Sequence, residues 1–491
     1  MGFRLLASLA LAAMTLPAVA QTAPGMPPPP KTWVDKDTGH RIWRLTNQPN
    51  SGAFYFNINA FTPDGKQMVY TAPDGIHVLN LATRTTRLLV PDPPRKPGEH
   101  WPFPGMARVL VVGHKTDSVF FTRTDPKTGV TSVYKANTNT GAVQKLVNLP
   151  PHYNVVTVNA DETLAAGGAI VGGPRGAAYG AAMPGMKPRG AAPDNRDASA
   201  KQGPHYQPLN KGRMMEIRWA SHLPMVLFTI RLEPGPNGEK PGQIKILLHS
   251  TAWLNHELFS PTDPHLLMYC HEGPWQKVNR IWTIHTDGTH NTLIHKRTMA
   301  MEIAGHEFWG LDGETIWYDW QYPKSQVFYL AGYNLKTHQR VAYHMSRNVW
   351  GIHFNVNHGA TLFTDDGADP GQVSHATNAE WIELLHPEMI PLDGAINSPD
   401  FWQPGVFKAE RLVNMSHHYY RQEPNVRFSP DGKMVIFTSN MFGPSYVFGV
   451  DVAKAVNPPP QDVKSTPGLA RQWNPVNPPN SKEAMPRPPA R

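Results

Sequence analysis

The chain has 491 residues, of which 40% are hydrophobic and 17% are charged, and this length is sufficient for a sizeable buried core. A single cysteine excludes an intrachain disulfide, and 50 prolines with 40 glycines indicate many tight turns rather than long helices. The formal net charge of +8 suits an acidic ligand, although it is also compatible with an ordinary basic surface. Nucleic acid is not expected as a partner, because the Lys and Arg residues are scattered along the chain.

The first twenty residues have the pattern of a signal peptide. Arg4 provides a positive charge, residues 5–16 are apolar, and Pro17 precedes the small residues 18–20. We therefore expect residues 1–20 to be removed and the protein to be exported to the periplasm or the extracellular space. A buried helix is the alternative. No later segment approaches the roughly 20 apolar residues of a membrane helix, so no membrane anchor is predicted.

Three further segments differ in composition from the rest of the chain. Residues 21–32 are Pro-rich and predict an extended lead-in. Residues 172–208 are rich in Gly, Ala and Pro and predict a low-complexity surface insert. Residues 454–491 are rich in Pro and Asn and predict a disordered tail. Residues 33–453 therefore form the expected folded domain.

The folded domain contains an internal repeat of a short strand, a turn rich in Pro, Asp and Gly, and a second apolar strand. The turns lie near residues 64, 116, 161, 263, 312, 358 and 431. A period of about 45 residues with two hairpins per unit is typical of β-propellers, so seven turns predict seven blades. A set of unrelated small β domains is the alternative.

The last repeat has room for only three strands before the tail begins. The segment HRIWRLT, residues 40–46, can supply the fourth strand, with residues 41–46 paired to residues 445–450. Closure by both ends of the chain removes the free sheet edges that would invite aggregation. The expected fold is an all-β, seven-bladed β-propeller closed by the N-terminal strand.

In a propeller the first strand of each blade lines the central channel, so polar residues just before each turn should converge on one site. The chain carries at these positions Asn57, Asn59, His256, His306, His353, Glu423 and Asn425. A hydrogen-bonded structural role is the simpler interpretation of any one histidine, but three at equivalent points favour a site. Imidazole, carboxylate and amide donors suit a divalent ion such as Mn²⁺ or Ca²⁺. The single cysteine argues against structural zinc, and a G-x-S-x-G hydrolase motif is absent.

Three stretches of the sequence resemble oligogalacturonate lyases, which are seven-bladed propellers. They are LNHELFSPTDPHLLMYCHEGPWQKVNRIWTI at residues 254–284, EIAGHEFWGLDGETIWYD at residues 302–319, and HHYYRQEPNVRFSPDGKMVIFTSNMFG at residues 417–443. The opening TGHRIWRLT is similar as well, and the likeness covers most of residues 36–452 apart from the insert. CHEGPW and GHEFW are the specific motifs, whereas FSPDG occurs in many periplasmic propellers.

The resemblance implies β-elimination on short galacturonate oligomers with a bound divalent metal, often Mn²⁺. His306 of GHEFW matches a metal ligand of the family. His256 matches the catalytic base, with His271 of CHEGPW as the alternative. Family members carry a Gln-x-x-His-x-His metal triplet before the last turn, and here Glu423 and Asn425 stand at the two histidine positions. Oxygen ligands would then replace nitrogen ligands.

The remaining site residues are assigned to the substrate. The candidates for binding it are Arg280, Arg421, Asn57, Asn59 and His353. A catalytic arginine is expected near blade three or four, and the candidates are Arg213, Arg218 and Arg231.

The resemblance thus implies an enzyme, a lyase that converts pectin fragments to unsaturated uronate products, with an acidic oligosaccharide as its partner. Two alternatives remain. One is a non-catalytic periplasmic propeller that binds a protein or a glycan through its channel face. The other is a lyase of the same fold that acts on a different uronate.

Overall fold

The structure is a computed structural model that describes residues 28–95, 103–171, 211–369, 378–392 and 400–457. The predicted signal peptide and insert, most of the lead-in and nearly all of the tail lie outside these ranges. No helix in the described ranges is long and apolar enough to cross a membrane.

The described ranges contain 28 β-strands, one α-helix and one short 3₁₀ helix at Arg347–Val349. The elements of the first half are β1 Thr32–Val34, β2 His40–Arg44, β3 Gln67–Ala72, β4 Gly75–Asn80, β5 Thr86–Pro91, β6 Ala107–Val112, β7 Ser118–Thr124, β8 Thr131–Asn137, β9 Val143–Asn148, β10 Thr157–Val158, β11 Leu164–Ile170, α1 Lys211–Ala220, β12 Met225–Arg231 and β13 Ile244–Ser250. Those of the second half are β14 Trp253–Phe259, β15 Leu266–Glu272, β16 Ile281–His285, β17 Thr292–Leu293, β18 Ile303–Trp309, β19 Thr315–Gln321, β20 Phe328–Asn334, β21 Arg340–Met345, β22 Phe354–Val356, β23 Phe363–Asp365, β24 Trp381–Met389, β25 Trp402–Asn414, β26 Arg427–Phe428, β27 Met434–Ser439 and β28 Tyr446–Lys454.

These strands form the seven blades of a propeller, as the repeat predicted. Blades two to six are β6–β9, β10–β13, β14–β17, β18–β21 and β22–β25, and neighbouring strands within each blade run antiparallel. Blades five and six also share one sheet, because β21 pairs in parallel with the first half of the long strand β25. Apolar side chains pack between neighbouring blades, as in the cluster that includes Met268 of blade four and Ile316 of blade five.

Blade one departs from the regular pattern at its inner edge. Its sheet is β3–β5, and the segment before it pairs only through the isolated bridges of Gly52 with Thr71 and of Phe61 with Met68. Residues 53–60 between these bridges are irregular. This segment carries several of the side chains described below.

Blade seven confirms the predicted closure. Strand β2 pairs antiparallel with β28, with Ile42 opposite Val450 and Arg44 opposite Phe448, and β26 and β27 complete the blade. Strand β1 then covers the outer side of β2 in antiparallel pairing. The closing sheet therefore has five strands, one more than predicted.

The closing strand should contribute measurably to stability. Ile42 is fully buried in a cluster that includes Phe448 and Val450. Replacing a buried Ile by Ala typically costs about 2–5 kcal/mol, and we expect Ile42→Ala to lower the free energy of unfolding by that amount. Chemical denaturation measures it, with Val143→Ala on the exposed face of β9 as the control. Equal stabilities for the two variants would contradict the role of β2.

Candidate active site

A pocket lies where the inner edges of blades one, four, five and seven meet, and helix α1 contributes one side chain to it. The pocket has a volume of about 430 Å³, open mouth included. Its lining residues are Tyr55, Phe56, Asn57, Met215, His256, Glu272, Trp275, Arg280, His306, Glu307 and Glu423. The structure thus brings together five of the predicted site residues, namely Asn57, His256, Arg280, His306 and Glu423.

The two pocket histidines occupy equivalent β-bulges in blades four and five. In β14, Asn255 lies opposite Cys270 and Leu258 lies opposite Met268, so this strand has one more residue between the two pairs than its partner has. Strand β18 shows the same shift between Gly305 and Phe308. His256 and His306 have φ values of 51° and 46°, a left-handed conformation that is costly for residues other than Gly. Bulges of this kind redirect a side chain, and these two aim imidazoles at the pocket.

His256 is linked to two buried charged groups, Glu272 and Arg280. Its Nε2 lies 3.0 Å from Glu272 Oε2, and the other carboxylate oxygen of Glu272 accepts a hydrogen bond from Arg280. Burial opposes the ionisation of Glu272, but Arg280 and His256 outweigh it and hold the pKa of this carboxyl well below its usual range. An ionised Glu272 accepts the proton on Nε2, so neutral His256 presents the unprotonated Nδ1.

Arg280 is held in the pocket wall by a ring and two carboxylates. Its side chain is buried, stacks over Trp275 with 4.3 Å from Cζ to the ring centroid, and lies 3.9 Å from the Glu307 carboxylate. Its strongest contact is the ion pair with Glu272. Arg280 lines the pocket and positions Glu272, and its predicted role of binding a substrate carboxylate stays a prediction.

His306 and His353 each have a carboxylate behind the ring. His353 Nδ1 lies 2.8 Å from Asp366 Oδ2, and His306 Nδ1 lies 3.4 Å from Asp319 Oδ1. The ring centroids are 5.0 Å apart. His353 Nε2 is buried without a hydrogen-bond partner in the described structure and lies 3.8 Å from Glu423 Oε2. Burial alone would lower the pKa of His353, but Asp366 and Glu423 raise it above its usual value.

Asn425 holds backbone through both polar ends of its side chain, and its predicted role as a metal ligand stays a prediction. Its Oδ1 accepts a hydrogen bond of 3.0 Å from the Phe56 amide, and its Nδ2 donates to the Glu423 carbonyl. Both polar ends of the side chain are therefore engaged in holding backbone. Asn59 is engaged in the same way, since its Nδ2 donates to the carbonyls of Phe61 and Val112.

Other predicted side chains lie outside the set that lines the pocket. His271 stacks on Trp282 with ring centroids 4.8 Å apart, and burial lowers its pKa to about 4. Arg421 is exposed, and Arg218 is buried over Trp253. The other two arginines proposed as catalytic, Arg213 and Arg231, are likewise absent from the lining residues.

Six of the eleven lining residues were missed by the sequence analysis, and Glu272 and Tyr55 are the two of them that enter the proposed chemistry below. Glu272 follows His271 within the CHEGPW motif, and strand alternation directs it to the opposite face of β15. Tyr55 lies in the irregular segment of blade one, where no strand period exists to place it. The sequence did contain a signal for Glu272, because this acidic residue lies in the CHEGPW motif beside His271, a candidate base.

Most of the pocket lies within the part of the chain that resembles known proteins. Residues 236–456 match the model of the oligogalacturonate lyase family. The predicted resemblance to oligogalacturonate lyases is confirmed. The matched residues include both bulge histidines, Glu272, Arg280 and Glu423.

Curated relatives support the same resemblance. An oligogalacturonide lyase of Pectobacterium atrosepticum is 26% identical over 226 residues, or 44% of this chain and 54% of the relative. An oligogalacturonate lyase of Dickeya dadantii is 23% identical over 224 residues, with the same shares. The matched region thus spans about half the length of these curated relatives.

Solved structures extend the likeness of fold over most of the chain. An oligogalacturonate lyase in complex with manganese has a TM-score of 0.61 and 19% identity, and covers 86% of this chain and 96% of its own. The oligogalacturonate lyase of Vibrio parahaemolyticus has a TM-score of 0.61 and 20% identity, with coverage of 87% and 97%. At this identity the likeness establishes the shared propeller fold.

Proposed function

We propose that this protein is a lyase that cleaves oligogalacturonides by β-elimination, with His256 as the general base. The observation that carries the proposal is the pairing of His256 Nε2 with Glu272, whose low pKa is set by buried Arg280. This pairing leaves Nδ1 of a pocket-lining imidazole free to accept a proton. The similarity to oligogalacturonide lyases over residues 236–456 supports the choice of substrate.

β-Elimination places three demands on the site. A base must remove the proton at C5 of the uronate, which is only weakly acidic because its loss adds negative charge to the carboxylate system. That charge must be stabilised as it develops, and the departing O4 must receive a proton. His256 meets the first demand, since its imidazole lines the pocket and its Nε2 pairs with Glu272, which leaves Nδ1 to accept the proton.

The second demand is difficult for this pocket unless a cation is present. Its lining residues include the carboxylates of Glu272, Glu307 and Glu423 but a single guanidinium, that of Arg280. Such a lining repels an acidic substrate. A divalent ion would reverse the local charge and, as a Lewis acid on the uronate carboxylate, stabilise the enolate-like intermediate.

We assign His306, His353 and Glu423 as the residues that would hold such an ion, with Mn²⁺ favoured and Ca²⁺ as the alternative. Metal-binding histidines typically have a carboxylate on the ring nitrogen away from the metal. Asp366 is hydrogen-bonded to His353 Nδ1 in this way, and Asp319 lies 3.4 Å from His306 Nδ1 without a hydrogen bond in the described structure. The unpartnered Nε2 of His353 beside Glu423 fits the same role. These ligands are not preassembled, because the described residues contain no group of three or more His, Cys, Asp or Glu side chains ready to hold an ion.

Removal of metal should therefore inactivate the enzyme. Treatment with EDTA is expected to reduce turnover by about 10²-fold or more, since a Lewis acid contributes several kcal/mol to such a step, and Mn²⁺ should restore it. Elemental analysis should find less bound Mn²⁺ in His306→Ala than in His271→Ala, a matched change outside the pocket. Full activity and unchanged metal content after these treatments would contradict the metal assignment.

The function itself is tested by a panel of uronate oligomers. Elimination creates a conjugated 4,5-unsaturated product that absorbs in the ultraviolet, so the assay reports the reaction directly. We expect turnover of short oligogalacturonides and less of glucuronate or rhamnogalacturonan fragments. If the protein cleaves only another uronate, the proposed substrate is wrong but the proposed reaction stands. If it binds oligomers without forming product, the alternative of a non-catalytic propeller is favoured. The N-terminal signal pattern supports action after export, which fractionation of the native host would test.

A further inference from the structure

The third demand of the reaction, a proton for O4, is met by none of the residues assigned so far. His256 must accept a proton, and Arg280 is engaged with Glu272. His306, His353 and Glu423 are assigned to the metal. The remaining pocket side chain with an O–H group is Tyr55, the phenol of the irregular segment in blade one.

The hydroxyl of Tyr55 is available in the pocket. None of the described residues forms a hydrogen bond with it, although Tyr55 lies among buried aromatic and charged groups. The ring centroid of Tyr55 lies 6.4 Å from that of His256 and 5.1 Å from that of His353. C5 and O4 of one sugar are only two bonds apart, so a single bound uronate can contact both Tyr55 and His256.

Blade seven holds the backbone that carries Tyr55. Arg427 is buried, and its guanidinium donates to the carbonyls of Tyr55 and Ile58, at 3.0 Å and 2.9 Å, as well as to that of Phe54. The Phe56 amide donates to Asn425 Oδ1. An otherwise irregular segment is thus fixed on both sides of the phenol, which is the preorganisation that an acid catalyst needs.

We propose that Tyr55 is the general acid that protonates O4 as the C4–O4 bond breaks. The proposal rests on the proposed lyase function. In the step, His256 Nδ1 takes the C5 proton, the C5–H electron pair forms the C4–C5 double bond, and the C4–O4 pair leaves on oxygen. The phenol transfers its proton to that oxygen, and the proton held by His256 returns to the phenolate through solvent. Burial, with Glu423 and Glu307 nearby, raises the pKa of the Tyr55 phenol well above its usual value, so Tyr55 carries its proton at neutral pH.

Tyr55→Phe, which removes only the hydroxyl, tests the proposal by its dependence on the leaving group. On oligogalacturonides we expect kcat to fall by about 10²–10⁴-fold, the usual contribution of general acid–base catalysis. On a galacturonate with 2,4-dinitrophenol at O4, whose anion leaves without a proton, we expect the variant to stay within a few-fold of the parent protein. His256→Ala should be slow on both substrates.

Tyr153→Phe is the control, because this tyrosine packs against Phe228 in blade three, away from the pocket lining. It should match the parent protein on both substrates. Equal losses for Tyr55→Phe on both substrates would overturn the acid role and indicate a structural role instead. Unchanged turnover of oligogalacturonides would also overturn the acid role. If the parent protein eliminates no uronate at all, the proposed function itself fails.

Discussion

Replacing His256 by Ala should reduce kcat on oligogalacturonides by about 10²–10⁴-fold, because the general base is lost. The loss should appear in kcat more than in KM, since the imidazole acts on a proton rather than on the charged groups that bind the substrate. Its side chain is 31% exposed, so folding and metal content should change little. Steady-state kinetics with the ultraviolet assay, together with elemental analysis, measure these quantities.

His271→Ala is the matched control for that experiment. The two histidines belong to adjacent strands of one blade, but His271 stacks on Trp282 and is not a lining residue. We expect His271→Ala to keep kcat and KM near those of the parent protein. Loss of turnover in His271→Ala with normal turnover in His256→Ala would exchange the two assignments.

Glu272→Gln should produce the second large effect, in activity and in stability. The amide keeps the shape of the side chain but removes the charge that fixes the proton on His256 Nε2. The equivalent Asp-to-Asn change in a serine protease triad costs about 10⁴-fold, and we expect a loss on the order of 10²–10⁴-fold here. The change also breaks the buried ion pair and leaves Arg280 with only the more distant carboxylate of Glu307, and breaking a buried pair typically costs about 3–5 kcal/mol.

A double variant separates the two effects of Glu272. Glu272→Gln with Arg280→Gln removes both buried charges, so part of the lost unfolding free energy should return. Turnover should stay low, because the carboxylate that orients His256 is still missing. Denaturation and kinetics on both variants measure the difference. If turnover returned together with stability, Glu272 would act through folding alone.

The fold was predictable because every blade repeats the same local pattern. FTPDG at residues 61–65 and FSPDG at residues 428–432 each mark the first turn of a blade, and the structure places a strand directly after each. The fourth strand of blade seven followed from a count of strands. The outer strand β1 and the joining of blades five and six could not be predicted from the sequence, because they depend on strand pairings outside the repeat.

The site was predictable only where it follows the repeat. His256 and His306 occupy equivalent bulges, so their position in the blade was sufficient to bring them together. Asn425 was placed by the repeat and assigned to the metal with the family triplet, but neither predicts its contact with Phe56 of another blade, a tertiary hydrogen bond that no local pattern encodes. Tyr55 was missed for the related reason that blade seven, through Arg427, determines its backbone position.

The closure of blade seven has a consequence for how the molecule folds. Trp43 donates a hydrogen bond from Nε1 to the carboxylate of Asp451, across 408 residues of chain. Contacts of such sequence separation form slowly, so we expect sealing of the ring to be the late step of folding. Until then β28 presents an unpaired edge, which is a template for association with another chain. Dilute conditions and an intact amino-terminal strand should therefore favour monomeric refolding, and loss of residues 40–44 should favour aggregation.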